Sequence, residues 1–157
     1  VYNFDELGAE LRAHGHRFRG HSDTEVILAA VDQWGVADAV ARFSGIFAFA
    51  LWDRREGLLH LVRDHLGVKP LYYGWVGEAL VFGSELKALT RYPGFRAEID
   101  RGALALLLRH NCIPAPHCIY RGVRKLPAGT ILTVRPSAGA GAGREARPVP
   151  YWSARAA

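Results

Sequence analysis

The chain has 157 residues, half of them hydrophobic, and 20 Lys plus Arg against 15 Asp plus Glu give a net charge of +5. This length and apolar content suit one globular unit with a fair core, and no apolar run reaches the roughly 18–20 residues of a membrane span. The 17 Arg and 3 Lys are scattered from Arg12 to Arg155, with no basic run and no zinc-finger or RRM signature, so neither a nucleic acid nor a membrane is expected as partner.

No signal peptide opens the chain. It starts at Val1 and holds no Met, so it reads as a piece of something longer. Cys112 and Cys118, the two cysteines, are spaced C-x5-C, which matches neither a zinc pattern nor a disulfide framework. They read as reduced thiols of a cytoplasmic protein. None of the seven His shows H-E-x-x-H or other metal spacing, so no metal site is expected, and His16, His21 and His65 read as surface or loop residues.

Asn3 followed by Glu6 reads as a cap, and Phe4, Leu7 and Leu11 then recur at helical spacing, giving a first helix that ends near Gly15. A short strand is expected over Arg17–Arg19. Ser22 to Glu25 fits the S-x-x-E capping box of a second helix, with Val26, Ile27, Ala30 and Val31 on its apolar face and Gly35 just past its end. A third short helix fits Ala37–Phe43. From Gly45 the period changes: GIFAFALWD is apolar on both faces and predicts a strand buried in the middle of a layered fold. Leu58–Val62 pairs with it through the turn at Asp53–Gly57, and residues 70–76 and 79–83 form a hairpin turning at Gly77-Glu78. A short helix follows over Leu86–Thr90. Asp100 caps a helix over Arg101–Arg109 with Leu104, Leu107 and Leu108 apolar, residues 113–116 (IPAP) run extended, and Thr130–Val134 is a further strand. Residues 137–143 (SAGAGAG) read as a flexible loop tip. Trp34, Trp52 and Trp75 are core candidates. Antiparallel strands after helices favour an α+β layered sandwich.

Three blocks stand in order: FSGIFAFALWD (43–53), RDHLGVKPLYY (63–73) and FGSELKAL (82–89). Together they resemble the glutamine-hydrolysing domain of asparagine synthetases, which are class II amidotransferases. VYN and ELGAELRAHGHRF at the start are similar to the family's N-G-E-[IV]-Y-N segment, entered three residues late. IDRGALALLLRHNCIPAPHCIYRGVRKLPAGTILTV with YW (151–152) resembles the stretch leading into the synthetase half, departing from it at residues 108–112 and 117–118. Relatives on that scaffold amidate other acids or close a β-lactam ring, so an amidotransferase of a β-lactam or polysaccharide pathway stands as an alternative. A non-catalytic binding module of the same fold is a second alternative.

The resemblance implies a four-layer αββα N-terminal-nucleophile sandwich, incomplete here. Residues 1–95 would be a partial amidotransferase domain, and 96–157 the rest of it with the exit segment toward a synthetase domain of the same chain. In the family an N-terminal cysteine attacks the glutamine amide with its own α-amine as base. Ammonia then passes to a domain that activates aspartate with ATP and Mg²⁺. This chain shows neither that cysteine nor the S-G-G-x-D-S loop of the synthetase half. No catalytic residue is therefore assigned, the fragment is expected to be inactive, and it is expected to bind no cofactor. L-glutamine is the implied ligand and a homodimer a possible assembly.

HSDTEV (21–26) matches the family segment whose aspartate receives the α-amino group of glutamine, which points to Asp23. Without the resemblance, an acid in a first helical turn gains about 0.3–1 kcal/mol from the helix dipole and needs no function. Arg63, Asp64, Gly67 and Lys69 are read as structural near the site: Arg63 and Asp64 as an ion pair pinning the loop, Gly67 and Pro70 as its turn. Glu85 and Lys87 are read as supporting the next helix or a domain interface.

Overall fold

The computed structural model describes residues 1–135, 143 and 145–154. Helices α1 (Phe4–Ala13) and α2 (Asp23–Arg42) precede strands β1 (Ala48–Asp53), β2 (Leu58–Arg63), β3 (Tyr72–Val76) and β4 (Ala79–Gly83). Then follow α3 (Leu86–Leu89), α4 (Arg101–His110), β5 (Val123–Lys125), β6 (Thr130–Val134) and β7 (Val149–Pro150). Every described strand pairing is antiparallel, in two sheets ordered β1-β2-β6-β7 and β4-β3-β5.

Three apolar clusters stack these layers. Leu7, Leu11, Val26, Ala30, Val40 and Phe43 bury the helix pair against Phe47, just ahead of β1, and Val62 and Ile131 of the first sheet. Leu61, Leu132 and Val134 from its other side meet Leu71, Tyr73 and Leu126, which joins the two sheets. Val81 and Val123 then cover Leu89 and Cys118 on the far side. The order is helix, sheet, sheet, helix: the αββα sandwich expected. No described helix is long and apolar enough to cross a membrane.

Local expectations fail where a side chain finds a better partner than its own helix. Asn3 makes no side-chain cap bond; its Nδ2 donates to Arg42 O at 3.0 Å and its Oδ1 accepts from Ser44 N at 2.9 Å. These are backbone groups at the end of α2 that otherwise lack partners. Ser22 does cap α2, accepting from Thr24 N at 3.2 Å. Glu25 does not close the box but takes the amides of Arg19 and Gly20 at 2.8 and 3.0 Å. That curl replaces the strand expected over Arg17–Arg19. Gly35, at φ 77° and ψ 167°, interrupts α2 where the helix end was placed.

β1 is not buried on both faces as its apolar run predicts. Among the described residues it is an edge strand, with Ala50 exposed and Trp52 51% exposed, because β2 and β6 take the centre. Trp34 and Trp75 pack part-buried against the first two clusters. On α4, capped by Asp100 Oδ1 on Ala103 N at 3.1 Å, Ala103 is buried while Leu104 and Leu108 face outward. Residues 113–116 form a loop with a cis Ala115–Pro116 bond rather than an extended run. Of the segment read as a loop tip, residues 137–142 lie outside the described residues.

His60 gives this fold a pH dependence. It is 8% exposed on β2, its Nδ1 3.0 Å from Thr133 Oγ1, and burial lowers its pKa while Asp53 opposes. The unfolded chain therefore binds the proton more readily, near pH 6.5. The contribution is complete above that pH and is lost as pH falls toward the folded value, no more steeply than about 1.4 kcal/mol per pH unit. Urea midpoints at pH 7.5 and 5.5 should draw together in His60→Gln relative to the unsubstituted chain. An equal drop in both would place the acid sensitivity elsewhere.

Candidate functional site

Asp23 is the first residue of α2, fixed there by the Ser22 cap. Its Oδ2 accepts from the Val1 α-ammonium at 3.0 Å, and its side chain is 46% exposed while that of Val1 is 1% exposed.

The carboxylate borders a cavity of about 520 Å³. Thr24 and Ile27 of α2 line it beside Asp23, with Ile46, Phe47, Ala48 and Phe49 leading into and along β1. The opposite wall comes from Lys69-Pro70 and Ser84-Glu85. Two carboxylates, those of Asp23 and Glu85, and one lysine therefore line a pocket walled by aromatic and aliphatic side chains, which suits a small zwitterionic molecule with an apolar stem.

The wall at Lys69 is held by a clamp. Asp64, 1% exposed, accepts from Val68 N and Lys69 N at 2.9 Å each. Arg63 donates from Nε to Lys69 O at 2.7 Å, and from its two terminal nitrogens to Leu126 O and Gly67 O at 2.6 Å each. The expected Arg63–Asp64 ion pair is not what pins the loop. Each side chain grips backbone instead, and together they hold both the N–H and the C=O of Lys69. Burial lowers the pKa of Arg63, with Asp64 opposing. Gly67 stands at φ 66°, where a Cβ would lie 3.0 Å from Ala128 Cβ and 3.1 Å from Arg63 Cζ, so the turn has room only for glycine. Behind the clamp Tyr151 donates to Arg63 O at 2.8 Å, and burial pushes its phenol pKa up.

Asp23 and Lys69 thus meet at one cavity, whereas Arg63, Asp64 and Gly67 stand behind its wall. Thr24, Ser84 and Glu85 were not singled out as pocket residues. FGSE was the available signal, but the cavity forms only where that segment meets α2. Glu85 also pairs with Lys87 at 2.5 Å on the exposed surface. Cys112 is exposed, and Cys118 is buried with its thiol pKa raised by that burial; neither lines the cavity. His16 lies 3.0 Å from Gln33 Oε1, and His65 sits edge-on to Phe47, Tyr151 and Trp152. No group of three or more His, Cys, Asp or Glu among the described residues could hold a metal.

A family model described as a glutamine amidotransferase domain matches residues 1–145. The chain is 40% identical over 134 residues to asparagine synthetase (glutamine-hydrolyzing) 3 of Bacillus subtilis, covering 85% of this chain and 22% of that protein. It is 36% identical over 136 residues to asparagine synthetase (glutamine-hydrolyzing) 1 of the same organism, covering 87% and 21%. A putative asparagine synthetase (glutamine-hydrolyzing) 2 of Methanocaldococcus jannaschii matches at 36% over 130 residues, 82% and 24%. The chain thus spans about a fifth of the length of these curated relatives. Among solved structures, the allosteric regulatory enzyme of purine biosynthesis superposes with a TM-score of 0.63 at 19% identity over 96% of this chain and 26% of that one. Glutamine phosphoribosylpyrophosphate amidotransferase from Bacillus subtilis, complexed with ADP and GMP, gives 0.61 at 19%, over 96% and 27%. At that identity the likeness establishes the fold, an amidotransferase sandwich.

Proposed function

The chain belongs to the glutamine amidotransferase domain family, and from that premise we propose that it is the glutamine-binding part of a glutamine-hydrolysing synthetase that makes asparagine from aspartate. Asp23 receives the α-ammonium of glutamine. The observation that carries this is the half-exposed Asp23 carboxylate, fixed at the start of α2 and lining the cavity that Lys69 also lines.

The chemistry follows from charge. A carboxylate fixed at a rigid helix start makes a charge-assisted hydrogen bond to an ammonium, and the Phe47–Phe49 floor fits the methylenes of a glutamine side chain. Neither cysteine is placed to attack the amide, so the nucleophile belongs to a part of the enzyme outside residues 1–157. ATP and Mg²⁺ do not fit these residues: the sequence has no S-G-G-x-D-S loop and the described residues hold no metal cluster. They belong to a synthetase domain beyond this segment, and no step here is routed through them.

In a parent enzyme carrying the nucleophile, Asp23→Ala should raise KM for glutamine about 10–100-fold, the loss of one hydrogen bond between charged groups. Synthesis driven by added ammonia should keep its rate. If KM for glutamine does not move, Asp23 serves only the helix dipole and the ligand assignment falls.

A further inference from the structure

We propose that the cavity between Arg96 and Arg121 binds a phosphate group. The hollow, about 370 Å³, lies beside the Gly77 turn that joins β3 to β4 and is walled by Val81, Phe95 and Val123. It shares no lining residue with the Asp23 cavity, so the inference is independent of the function proposed above.

Charge names the ligand. Residues 91–125 hold seven Lys plus Arg against two Asp plus Glu, so the whole net charge of +5 lies in this stretch. The remaining residues balance at thirteen of each sign. Two of those seven cations, Arg96 and Arg121, line the cavity, and no carboxylate does. Among the described residues neither arginine takes part in an ion pair. Glu98 stands opposite Arg121 across the Ile99–Tyr120 bridge without forming one. Two guanidinium groups with no protein anion between them suit a phosphate, whose oxygens each can take through parallel hydrogen bonds.

The backbone holds the two side chains at one mouth. Arg121 N donates to Glu98 O at 2.9 Å and Asp100 N to Ile119 O at 2.8 Å, so the segments carrying the arginines run side by side. Phe95 stands edge-on to Tyr120 at 5.6 Å between ring centroids, and its N–H donates to Tyr92 O at 3.0 Å. Gly94 and Gly122, next to this wall, have no side chain to block the approach. Free phosphate and a phosphate ester present the same oxygens to the arginines; an ester would also lay its organic part on Phe95 and the two valines.

The test is calorimetric titration of the purified chain with inorganic phosphate and with phenyl phosphate, at an ionic strength held constant with sodium chloride. Saturable binding of both is expected, weakened about tenfold or more in Arg96→Gln and in Arg121→Gln, each of which removes hydrogen bonds between charged groups. Both side chains are exposed, so the ligand-free variants should melt as the unsubstituted chain does. Arg109→Gln, on α4 within the same charged stretch but off the cavity, should leave binding unchanged. Tighter binding of phenyl phosphate identifies an ester as the ligand, and equal binding the free ion. The site is overturned if neither compound binds saturably or if both arginine variants bind as before. An equal loss in Arg109→Gln also overturns it, since net charge alone would then attract the anion. So does binding of a single-stranded DNA oligomer without binding of either small phosphate.

Discussion

Asp64→Ala should cost about 3–5 kcal/mol of folding stability, read from urea midpoints of the purified chain. Asp64 is 1% exposed, and its carboxylate satisfies two backbone N–H groups, those of Val68 and Lys69. Truncation leaves both donors without a partner, at about 1–3 kcal/mol each. It also removes the carboxylate charge that offsets the burial of Arg63. The backbone of Asp64 amplifies the effect: its N–H donates to Phe47 O at 2.9 Å, and its carbonyl accepts from Gly67 N and Gly129 N at 3.0 and 2.9 Å. The loop therefore ties β1 to the start of β6. Asp64→Asn should recover part of the loss, since an amide oxygen accepts one of the two bonds but lacks the charge. Since domains of this size are stable by only about 5–15 kcal/mol, the alanine variant should sit near the edge of folding. A loss below about 1 kcal/mol would mean that water replaces the carboxylate and that the clamp is not structural.

Gly74→Ala should be comparably severe for a steric reason. Gly74 lies in β3, the central strand of the second sheet, opposite Val81 on one side and Val123 on the other. A Cβ there would stand 2.5 Å from Gly122 O and 3.2 Å from Val123 Cα, both backbone atoms that a rotamer change cannot move. Relief requires β5 to pull away from β3, which breaks the pairing of Tyr72–Gly74 with Val123–Lys125. Overpacking of this kind costs about 1–3 kcal/mol or more, about 2–12 °C in melting temperature for a chain of this length. Gly8→Ala is the internal control. Its Cβ would meet Val26 Cγ2 at 3.7 Å, ordinary contact, in the middle of α1. It should stabilise by about 0.5–1 kcal/mol, since glycine in a helix loses more freedom on folding than alanine. If Gly74→Ala melts no lower than the unsubstituted chain, β5 is not held against β3 as described.

The candidate site was half legible for a specific reason. Asp23 stands in a local motif, a capped helix start, so its position follows from a few neighbouring residues. The loop residues 63–69 were legible as a unit, but their bonding was not. Adjacent opposite charges suggest a pair with each other, whereas in the fold each finds backbone donors or acceptors aligned by Gly67 and by Leu126, 63 residues after Arg63. Nothing local announces Leu126 as an acceptor. The same gap explains Asn3, whose partners lie at residues 42 and 44.

By itself the sequence determined the order and nature of most elements, because helix caps, glycine stops and apolar periodicity act over three or four residues. It also determined the family, carried by motifs of eight to eleven residues whose spacing survives in the sequence alone. What only the tertiary structure decided was which strand sits at an edge and which side chains share a cavity. β1 reads as a buried strand, yet β2 takes β6 as its second neighbour, so Trp52 is left in solvent. Lys69 and Asp23 are 46 positions apart and face one cavity only because β1 and the 63–70 loop fold back against α2. Hydrogen-bond propensity and hydrophobic period are local quantities. Sheet order and pocket walls depend on which distant surfaces bury each other best.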